Sequence, residues 1–287
     1  MAEKRIVIYY QTLIDINPLI ELISGKDLTI LTDITLASIH FGINEDKSPY
    51  IHLNNDSPNS ESFTKVFSQL KHIKIINTEH QVKINLLIGG AGTAFNQLFS
   101  NYSCYYNLLK SSIEKLRAKI GLFDVLVNNA AHDDRHNWQD VTEAYWDERF
   151  ATNLRHQFFT IQSVARDMIQ KGGGSIVNIG SNSWMEAVGN FPAYATAKSA
   201  VHGLSRTLAR DLGKHRIRVN TVVPGWIMTD RQKELWVTPE GLENQYKRQC
   251  LPDLIEPVYV ARMVLFLASD DAAMCTANNY MVEAGSI

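Results

Sequence analysis

The feature that most constrains the fold is a strand–turn–helix pattern in the middle of the chain. Three glycines at 172–174 predict a turn, and the apolar run at 175–180 has the length of a buried strand. Beyond Ser181, apolar residues recur at helical spacing, so Tyr194 and Lys198, four positions apart, share one face of a predicted helix. Because ligands of open α/β sheets bind at the carboxyl ends of strands, the pattern predicts an α/β fold with a binding site near Ser181.

The side chains at this strand end can support proton transfer. A free tyrosine has a pKa of about 10, and a nearby ammonium lowers that pKa because it favours the phenolate. A phenol whose pKa lies closer to neutrality is a better acid and base, and the Ser181 hydroxyl can hold a substrate oxygen. A tyrosine and a lysine four residues apart are also typical of an ordinary helix surface, so the pair alone leaves both interpretations open.

Two intervals in this segment resemble the active site of the short-chain dehydrogenase/reductase family. Ser181 lies thirteen residues before Tyr194, and Lys198 lies four residues after it, as in that family. The resemblance extends from about residue 122 to the C-terminus and implies hydride transfer with NAD or NADP. It implies that Ser181 orients the substrate oxygen, that Tyr194 takes the hydroxyl proton, and that Lys198 lowers the pKa of the tyrosine and holds the nicotinamide ribose. It also implies that Asn153 holds a water linking the lysine to solvent.

Two further segments carry the same resemblance. Residues 124–131 form an apolar strand that ends in amides, similar to the family's Asn-Asn-Ala-Gly motif with Ala131 in place of the glycine. Residues 224–229 resemble the family's Pro-Gly segment, which implies that backbone groups of Ile227 meet the nicotinamide carboxamide and that Thr229 meets a phosphate. The residues that the resemblance assigns to the cofactor are Asn128, Ala130, Tyr194, Lys198, Pro224, Gly225, Ile227 and Thr229. Without the other motifs, residues 124–131 are equally typical of an amide-rich turn after a strand.

A polar loop follows the amide-rich strand end. It reads His132-Asp133-Asp134-Arg135-His136, and together with two tryptophans farther along the chain it resembles the sugar (aldose) dehydrogenases of the family. Carboxylates, a guanidinium and indoles are groups that can hold a polyhydroxylated ring. The predicted substrate residues are His132, Asp134, Arg135, Trp184, Trp226 and Arg231. The alternative is a solvated loop, which is the usual role of five consecutive polar residues.

The first third of the chain predicts three strand–helix units. Strands are predicted at 5–10, 34–43 and 82–88. A polar loop is predicted at 46–59, followed by a helix that starts at Ser60. Because strands and helices alternate, we expect a mostly parallel sheet.

The turn after the first strand lacks the glycines that let a backbone cradle a cofactor's pyrophosphate. No glycine occurs between Met1 and Ser24. The nearest glycine-rich candidate, at 89–92, has Phe95 where the family has its third glycine, so a plain strand-to-helix turn is the alternative. We therefore expect cofactor affinity to be severely weakened or lost.

The same third resembles the start of a family 18 glycoside hydrolase (chitinase-like) barrel. The resemblance covers roughly residues 1–120 and includes the run from Val82 to Gly92. A barrel-type order would place the third strand beside the fourth. The fourth strand of that family ends in a catalytic acid, whereas here Phe123-Asp124 continues Val-Leu-Val-Asn-Asn-Ala. We predict two domains, a barrel-like (βα)3 segment at 1–121 and a dehydrogenase half at 122–287.

The predicted fold class is α/β, with a mostly parallel, Rossmann-like doubly wound sheet and an N-terminal (βα)3 segment of barrel-like character. Residues 143–169 predict one long helix whose buried face carries Trp146, Phe150, Leu154, Phe158 and Ile161. Farther along, the pattern predicts strands at 217–223 and 280–285, a mobile polar substrate lid at 230–256 and a helix at 257–268.

Composition limits the partners and the compartment. The formal net charge of −2 and the lack of an apolar run of membrane-spanning length give no reason to expect nucleic acid or a membrane as a partner. The three cysteines are widely spaced and form neither a metal motif nor an even set of disulfides, which predicts a reducing, cytoplasmic location and no metal. The partner is a small-molecule substrate. A homo-oligomer is left open, and the resemblance implies pairing through the helices that bear Asn153 and Lys198.

These features predict an NAD(P)-dependent oxidoreductase that oxidises an aldose at the anomeric carbon. Two alternatives stay open. One is a chitinase-like carbohydrate-binding or inactive hydrolase-related protein, and the other is a non-catalytic fusion of the two halves. The sequence does not distinguish NAD from NADP, and it does not name the sugar.

Overall fold

The chain divides into two compact units. The first comprises Met1–Ala131 with Phe159–Gly174, and the second comprises His132–Phe158 with Ser175–Ile287. The computed structural model describes residues 6–10, 31–43, 49–53, 83–88 and 121–287, with single helical residues at 61, 107, 110, 111, 113–115, 117 and 118. The domain boundary predicted between residues 121 and 122 stays a prediction.

The first unit contains a mostly parallel sheet. Its described strands are β1 (Ile6–Tyr10), β2 (Leu31–Ile43), β3 (Pro49–Leu53), β4 (Lys83–Ile88) and β5 (Val125–Asn128). β1 pairs with β2, β2 with β4 and β4 with β5, each in parallel. The predicted strands of the first third, the strand after them and the parallel sheet are therefore confirmed.

The parallel strands of this unit follow chain order across the sheet, as β1–β2–β4–β5. β4, the third predicted strand, lies beside β5, and a barrel-type order predicts that neighbour. Among the described strands, β1 pairs with β2 at one edge of this set. β2 and β4 therefore lie between β1 and β5.

The prediction of a continuous loop at 46–59 is wrong, because β3 lies within it. β3 runs antiparallel to the end of β2, with Pro49 opposite Ile43 and Leu53 opposite Ile39. The proline stands at the first residue of the strand, where it is tolerated, and tyrosine and isoleucine favour extended backbone. Of the helix predicted from Ser60, Glu61 is helical, and its other residues lie outside the described part of the chain, as do the glycines at 89–92.

The long helix predicted at 143–169 is present in three parts. These are α1 (Glu143–Phe150), a π-helical segment (Ala151–Arg155) and α2 (His156–Lys171). The predicted buried face is wrong at Trp146 and Phe158, which are 37% and 38% exposed. The buried positions include Arg149 and Asn153 instead. The π-helical turn shifts the side-chain register, and hydrogen bonds make burial of these polar groups tolerable.

The second unit contains three of the described strands, which lie side by side. Its strands are β6 (Gly174–Ile179, in this unit from Ser175), β7 (Ile217–Pro224) and β8 (Asn279–Val282), adjacent in that order, and β7 and β8 are parallel. Its further helices are α3 (Pro192–Leu212), α4 (Asp230–Leu235), α5 (Pro239–Arg248) and α6 (Pro257–Ala268). The strand predicted at 217–223 and the helix predicted at 257–268 are confirmed. The strand predicted at 280–285 is present as β8, but it ends three residues earlier than predicted.

Residues 230–256, predicted as a polar lid, contain the two short helices α4 and α5. Each begins at a threonine whose hydroxyl accepts a backbone N–H, Thr229 for α4 and Thr238 for α5. Such N-caps favour helix formation in polar sequence, so a polar composition alone does not predict a loop. Among the described helices, none is long and apolar enough to cross a membrane.

Gly225, which follows β7, is expected to be intolerant of a side chain. A Cβ there would lie 2.9 Å from both Cα and Cβ of Glu283 and 3.2 Å from Ile255 Cδ1. We expect Gly225→Ala to lower the free energy of unfolding by about 1–3 kcal/mol, because the Glu283 backbone directly after β8 would have to shift to make room. Gly203 lies inside α3, and a Cβ added there would have no other atom within 4 Å, so Gly203→Ala should stabilise by about 0.5–1 kcal/mol. Urea denaturation measures the free energy of unfolding of both variants. Equal changes in the two variants would contradict the predicted loss at Gly225 and gain at Gly203.

Candidate active site

The structure brings Ser181 and Tyr194 together at the end of β6. Pro192 occupies the first turn of α3, where its fixed backbone favours helix initiation, and this places Tyr194 in that same turn. The Tyr194 phenol and the Ser181 hydroxyl are hydrogen-bonded. Ser181 also donates to Ser183 Oγ at 3.0 Å and accepts from the Ser183 backbone N–H at 3.2 Å, so its hydroxyl has a fixed position.

Lys198 lies one helical turn farther along α3 and is buried, with 1% of its surface exposed. Its Nζ donates to the backbone oxygen of Ile179 at 2.7 Å and lies 5.8 Å from the centroid of the Tyr194 ring. Burial lowers the pKa of Lys198 to about 7, and the charge of Asp133 opposes that shift. An ammonium has three N–H donors, and among the described residues only Ile179 accepts one of them.

The pKa of Tyr194 moves in the direction opposite to the predicted one. Burial raises this pKa above its ordinary value, and the Asp133 carboxylate raises it further. The hydrogen bond with Ser181 and the cations Arg135 and Arg231 lower it without cancelling the effect of burial. The predicted lowering of the Tyr194 pKa was based on the lysine charge alone. Desolvation of the phenol is the largest effect on this pKa, and it raises the pKa.

Asn153 lies in the π-helical segment and is fully buried. Its Oδ1 accepts from the backbone N–H of His132 at 2.9 Å, and its Nδ2 donates to the backbone oxygens of His132 and Arg149 at 3.1 and 2.9 Å. The carboxamide therefore fixes the backbone at the start of the 132–136 loop. Single-turn π segments are frequent at functional sites, and this one aims Asn153 at that loop.

The His132 ring lies between two charged groups. Arg149, which is 1% exposed, hydrogen-bonds to His132 Nδ1, and Asp134 Oδ1 lies 3.2 Å from Nε2. Burial and the Arg149 charge lower the pKa of His132, and the Asp134 carboxylate raises it by less. His132 is therefore neutral near pH 7 and serves as a fixed support for the loop.

Asp133 is the centre of a polar network. It was not among the substrate residues predicted from the sequence. It forms an ion pair with Arg231, and its Oδ2 accepts from Gln232 Nε2 at 2.7 Å. Arg231 also donates to Asp134 Oδ1 at 3.1 Å, and Trp226 Nε1 donates to Gln232 Oε1 at 2.9 Å. Burial alone would raise the pKa of Asp133, but the hydrogen bond and charge of Arg231 outweigh it and lower that pKa. The network fastens the 132–136 loop to α4.

Arg135 packs against an aromatic ring that also contacts Tyr194. Its Cζ is 4.1 Å from the centroid of the Phe191 ring and 5.5 Å from the centroid of the Trp236 ring. The Phe191 ring in turn stacks on Tyr194, with centroids 5.4 Å apart. The contacts therefore link Arg135 to the reactive phenol through one aromatic ring.

Trp184 contacts a different part of the site. Its indole, 38% exposed, packs edge-on against His202 with centroids 5.2 Å apart. His202 lies four residues after Lys198, and burial together with the Lys198 charge lowers its pKa. Trp184 is therefore placed beside the lysine end of the site rather than within the Asp133 network.

The 224–229 segment is held mainly by backbone contacts. The Pro224 oxygen accepts from the Asn182 N–H at 3.1 Å, and the Ile227 oxygen accepts from the Thr229 N–H at 2.8 Å. The Thr229 hydroxyl accepts the Gln232 backbone N–H at 3.2 Å, so it caps α4 and keeps its own O–H as a donor. The need for a glycine at position 225 is explained by the close approach of Glu283, the residue after β8.

Asn128 and Ala130 belong to the first unit and are buried there, at 0% and 1% exposure. The Thr160 hydroxyl donates to Asn128 Oδ1 at 2.7 Å. This bond ties the end of β5 to α2, so Asn128 has a structural role whatever else it contacts.

The residues of the second unit fit the nicotinamide half of a dinucleotide. A ribose offers two adjacent hydroxyls, and the two Lys198 donors without an acceptor among the described residues are suited to them. The Thr229 O–H and the fixed Ser181–Tyr194 pair supply further polar groups near β6 and β7. Among the described residues, no cluster of three or more histidine, cysteine or acidic side chains could hold a metal ion.

Comparison with known proteins gives a consistent result. A family model described as enoyl-(acyl carrier protein) reductase matches residues 107–286, which is more than half of the chain. The D-xylose 1-dehydrogenase of Caulobacter vibrioides is 51% identical over 174 residues, covering 61% of this chain and 70% of that protein. A probable galactose dehydrogenase of Rhizobium meliloti is 44% identical over 177 residues, covering 62% of this chain and 69% of the relative.

Solved structures show the same fold. A short-chain type dehydrogenase/reductase from Mycobacterium ulcerans has a TM-score of 0.65 and 20% identity, covering 99% of this chain and 90% of that one. A 7α-hydroxysteroid dehydrogenase complexed with NADH and 7-oxo glycochenodeoxycholic acid has a TM-score of 0.64 and 24% identity, covering 90% of this chain and 86% of that one. These likenesses support the Rossmann-like α/β class. With the family match over residues 107–286, they establish that the chain belongs to the short-chain dehydrogenase/reductase family of oxidoreductases.

Proposed function

We propose that this protein is an NAD(P)-dependent dehydrogenase that oxidises an aldose sugar at its anomeric carbon. The proposal rests on one observation: Ser181, Tyr194 and Lys198 lie close together at the end of β6. Relatives named as D-xylose and galactose dehydrogenases support a sugar as the substrate. The bound nicotinamide would supply the hydride acceptor.

Each of the three side chains has a separate task in this proposal. The Ser181 hydroxyl, fixed by Ser183, orients the substrate oxygen. Tyr194 accepts the proton of the substrate hydroxyl during oxidation and returns it during reduction. Lys198 uses its remaining N–H donors to hold the ribose, and with a pKa of about 7 it can pass a proton on. Asn153 acts by fixing the backbone that carries the substrate loop.

The polar loop is the proposed substrate-binding element. His132, Asp134, Arg135, Trp226 and Arg231 lie in or against this loop and its network with α4. Trp184, also in the proposed substrate set, contacts His202, which lies one helical turn after Lys198. Asp133 and Gln232 join the proposed set because they hold Arg231 and Trp226 in place.

The Asp133 charge is expected to set the pH dependence of oxidation. Tyr194 must lose its proton before it can accept another, so the oxidation rate rises with pH through the pKa of Tyr194. Asp133 raises that pKa, and Arg231, released from its ion pair, would lower it more strongly. The rising limb of kcat/KM in Asp133→Asn should therefore shift to lower pH.

Asp253→Asn, at an exposed position, is the matched control, and it should leave the rising part of the pH profile of kcat/KM unshifted. A uniform loss of rate in Asp133→Asn without any shift would contradict an electrostatic role for this carboxylate.

An aldose panel assayed with NAD and with NADP tests the proposed function. Reduced nicotinamide should form with at least one aldose, and Tyr194→Phe should not form it at a comparable rate. We also propose weak cofactor affinity, because the first 24 residues contain no glycine. A fluorescence titration with NADH or NADPH measures that affinity, and micromolar binding would refute its weakness. No turnover of any aldose with either nucleotide would refute the oxidation.

A further inference from the structure

The Arg135 guanidinium makes no hydrogen bond or ion pair among the described residues, although its charge lowers the pKa of Asp133 and opposes the rise of the Tyr194 pKa. Its contacts there are the faces of Phe191 and Trp236, with no hydrogen bond or ion pair to a described carboxylate. Arg231, by contrast, forms ion pairs with both Asp133 and Asp134. The two rings restrict the position of the Arg135 guanidinium, and its N–H donors remain available to an acceptor.

Trp236 offers a second donor beside it. The indole Nε1 is buried and has no acceptor among the described residues. Buried N–H groups are normally hydrogen-bonded, so a buried indole N–H without an acceptor at a candidate site indicates a place for a ligand oxygen. The tryptophan follows α4, which the Asp133 network fastens to the 132–136 loop, so its ring is held in place next to Arg135.

The local charge indicates a neutral ligand. Asp133 and Asp134 pair with Arg231, and the Arg135 charge lies close enough to act on Asp133. Arg149, beside Asp134, and its partner Glu148 add one charge of each sign. These charges balance each other, and the Asp133 charge acts on Tyr194 itself. An anionic substrate at Tyr194 would meet that carboxylate. Adjacent hydroxyl oxygens are neutral acceptors that the N–H donors of a guanidinium can bind.

We propose that Arg135 and Trp236 form a subsite that binds adjacent hydroxyl groups of a neutral polyhydroxylated substrate. The subsite holds the part of the molecule away from the reacting carbon, because Phe191 separates Arg135 from Tyr194. This inference rests on the proposed function and specifies its substrate class: an aldose with free adjacent hydroxyls beyond the anomeric carbon. Trp236 is a residue that the sequence patterns did not indicate.

Two variants remove the donors and keep the shape. Arg135→Met should lower kcat/KM for the best aldose of the panel by roughly 10- to 100-fold, and Trp236→Phe by roughly 3- to 10-fold. The loss should be much smaller for deoxy analogues of that aldose, which lack one of the hydroxyls. The matched controls are Arg206→Met, at an exposed position of α3, and Trp138→Phe, where the indole is 74% exposed.

Direct binding of the same aldose, measured by saturation-transfer NMR, separates this inference from the proposed function. If wild type turns over aldoses and both variants lose equal activity on parent and deoxy sugars, the subsite is refuted and the function stands. Preference of wild type for a sugar acid, lost in Arg135→Met, would refute the neutral ligand. If wild type binds the aldose without oxidising it, weaker binding in Arg135→Met supports the subsite although the function fails. Absence of binding by wild type would refute both.

Discussion

Tyr194→Phe is expected to lower kcat/KM by about 10²- to 10⁴-fold, the range that general acid–base groups contribute. The substitution removes one oxygen and leaves the ring that stacks on Phe191, so the fold should be unchanged. Ser181 would lose its hydrogen-bond partner but keep its contacts with Ser183. Steady-state oxidation of the best aldose, with circular dichroism on the same sample, measures both effects.

Tyr246→Phe provides the matched control. This tyrosine lies in α5 and is 42% exposed, so the same chemical change there should leave kcat/KM unaltered. Activity of Tyr194→Phe within threefold of wild type would contradict a proton-transfer role for the phenol.

Lys198→Met is expected to change activity and stability in opposite directions. The methionine fills a similar volume but cannot hold the ribose or pass a proton, so we expect activity to fall about 100-fold or more. Burial lowers the pKa of Lys198 to about 7, so at neutral pH the folded state is destabilised by about 4 kcal/mol relative to a chain without this titration. Leaving the Ile179 oxygen unpaired costs about 1–3 kcal/mol. The variant should therefore be more stable at pH 7 by about 1–3 kcal/mol.

The sign of this effect follows from which state holds the proton. The unfolded chain keeps the lysine protonated up to its ordinary pKa of 10.5, whereas the folded chain releases the proton near pH 7. The contribution of Lys198 to stability is therefore unfavourable and constant below about pH 7, and it improves as the pH rises toward 10.5. Urea denaturation between pH 7 and 10 should show this rise in wild type and a weaker one in Lys198→Met.

Lys247→Met is the control, because that side chain is 67% exposed and its ion pair is with Glu243 one turn away. Its stability should differ from wild type by less than about 0.5 kcal/mol. A loss of stability in Lys198→Met would contradict the inferred cost of burying this lysine.

Local patterns predicted the regular elements of the chain well. The period of apolar residues and the glycine turns indicated most strands and the helices that carry Asn153 and Tyr194. β3 was missed because polar composition and two prolines outweighed a five-residue run with good strand propensity. The buried face of α1 and α2 was misjudged because the π-helical segment breaks the helical period, and no local signal marks that break.

Spacing along the chain predicted the part of the site that lies within one strand–helix unit. Ser181, Tyr194 and Lys198 follow from intervals within one strand–helix unit. The roles of Asp133 and Trp236 depend on contacts between the 132–136 loop and α4, about a hundred residues apart in sequence. The direction of the Tyr194 pKa shift depends on burial, which a pattern does not measure. The cytoplasmic location, the pairing of subunits and the chitinase-like origin of the first third stay predictions.

Transfer of deuterium from the anomeric carbon tests the central claim most directly. Wild-type protein would be incubated with the best aldose labelled with deuterium at C1, and the nicotinamide product examined by proton NMR. We predict that the label appears on the nicotinamide ring, and that the Tyr194→Phe variant yields little of this product. Reduced nicotinamide without the label, or labelled product formed equally well by the variant, would contradict oxidation at the anomeric carbon by this serine, tyrosine and lysine.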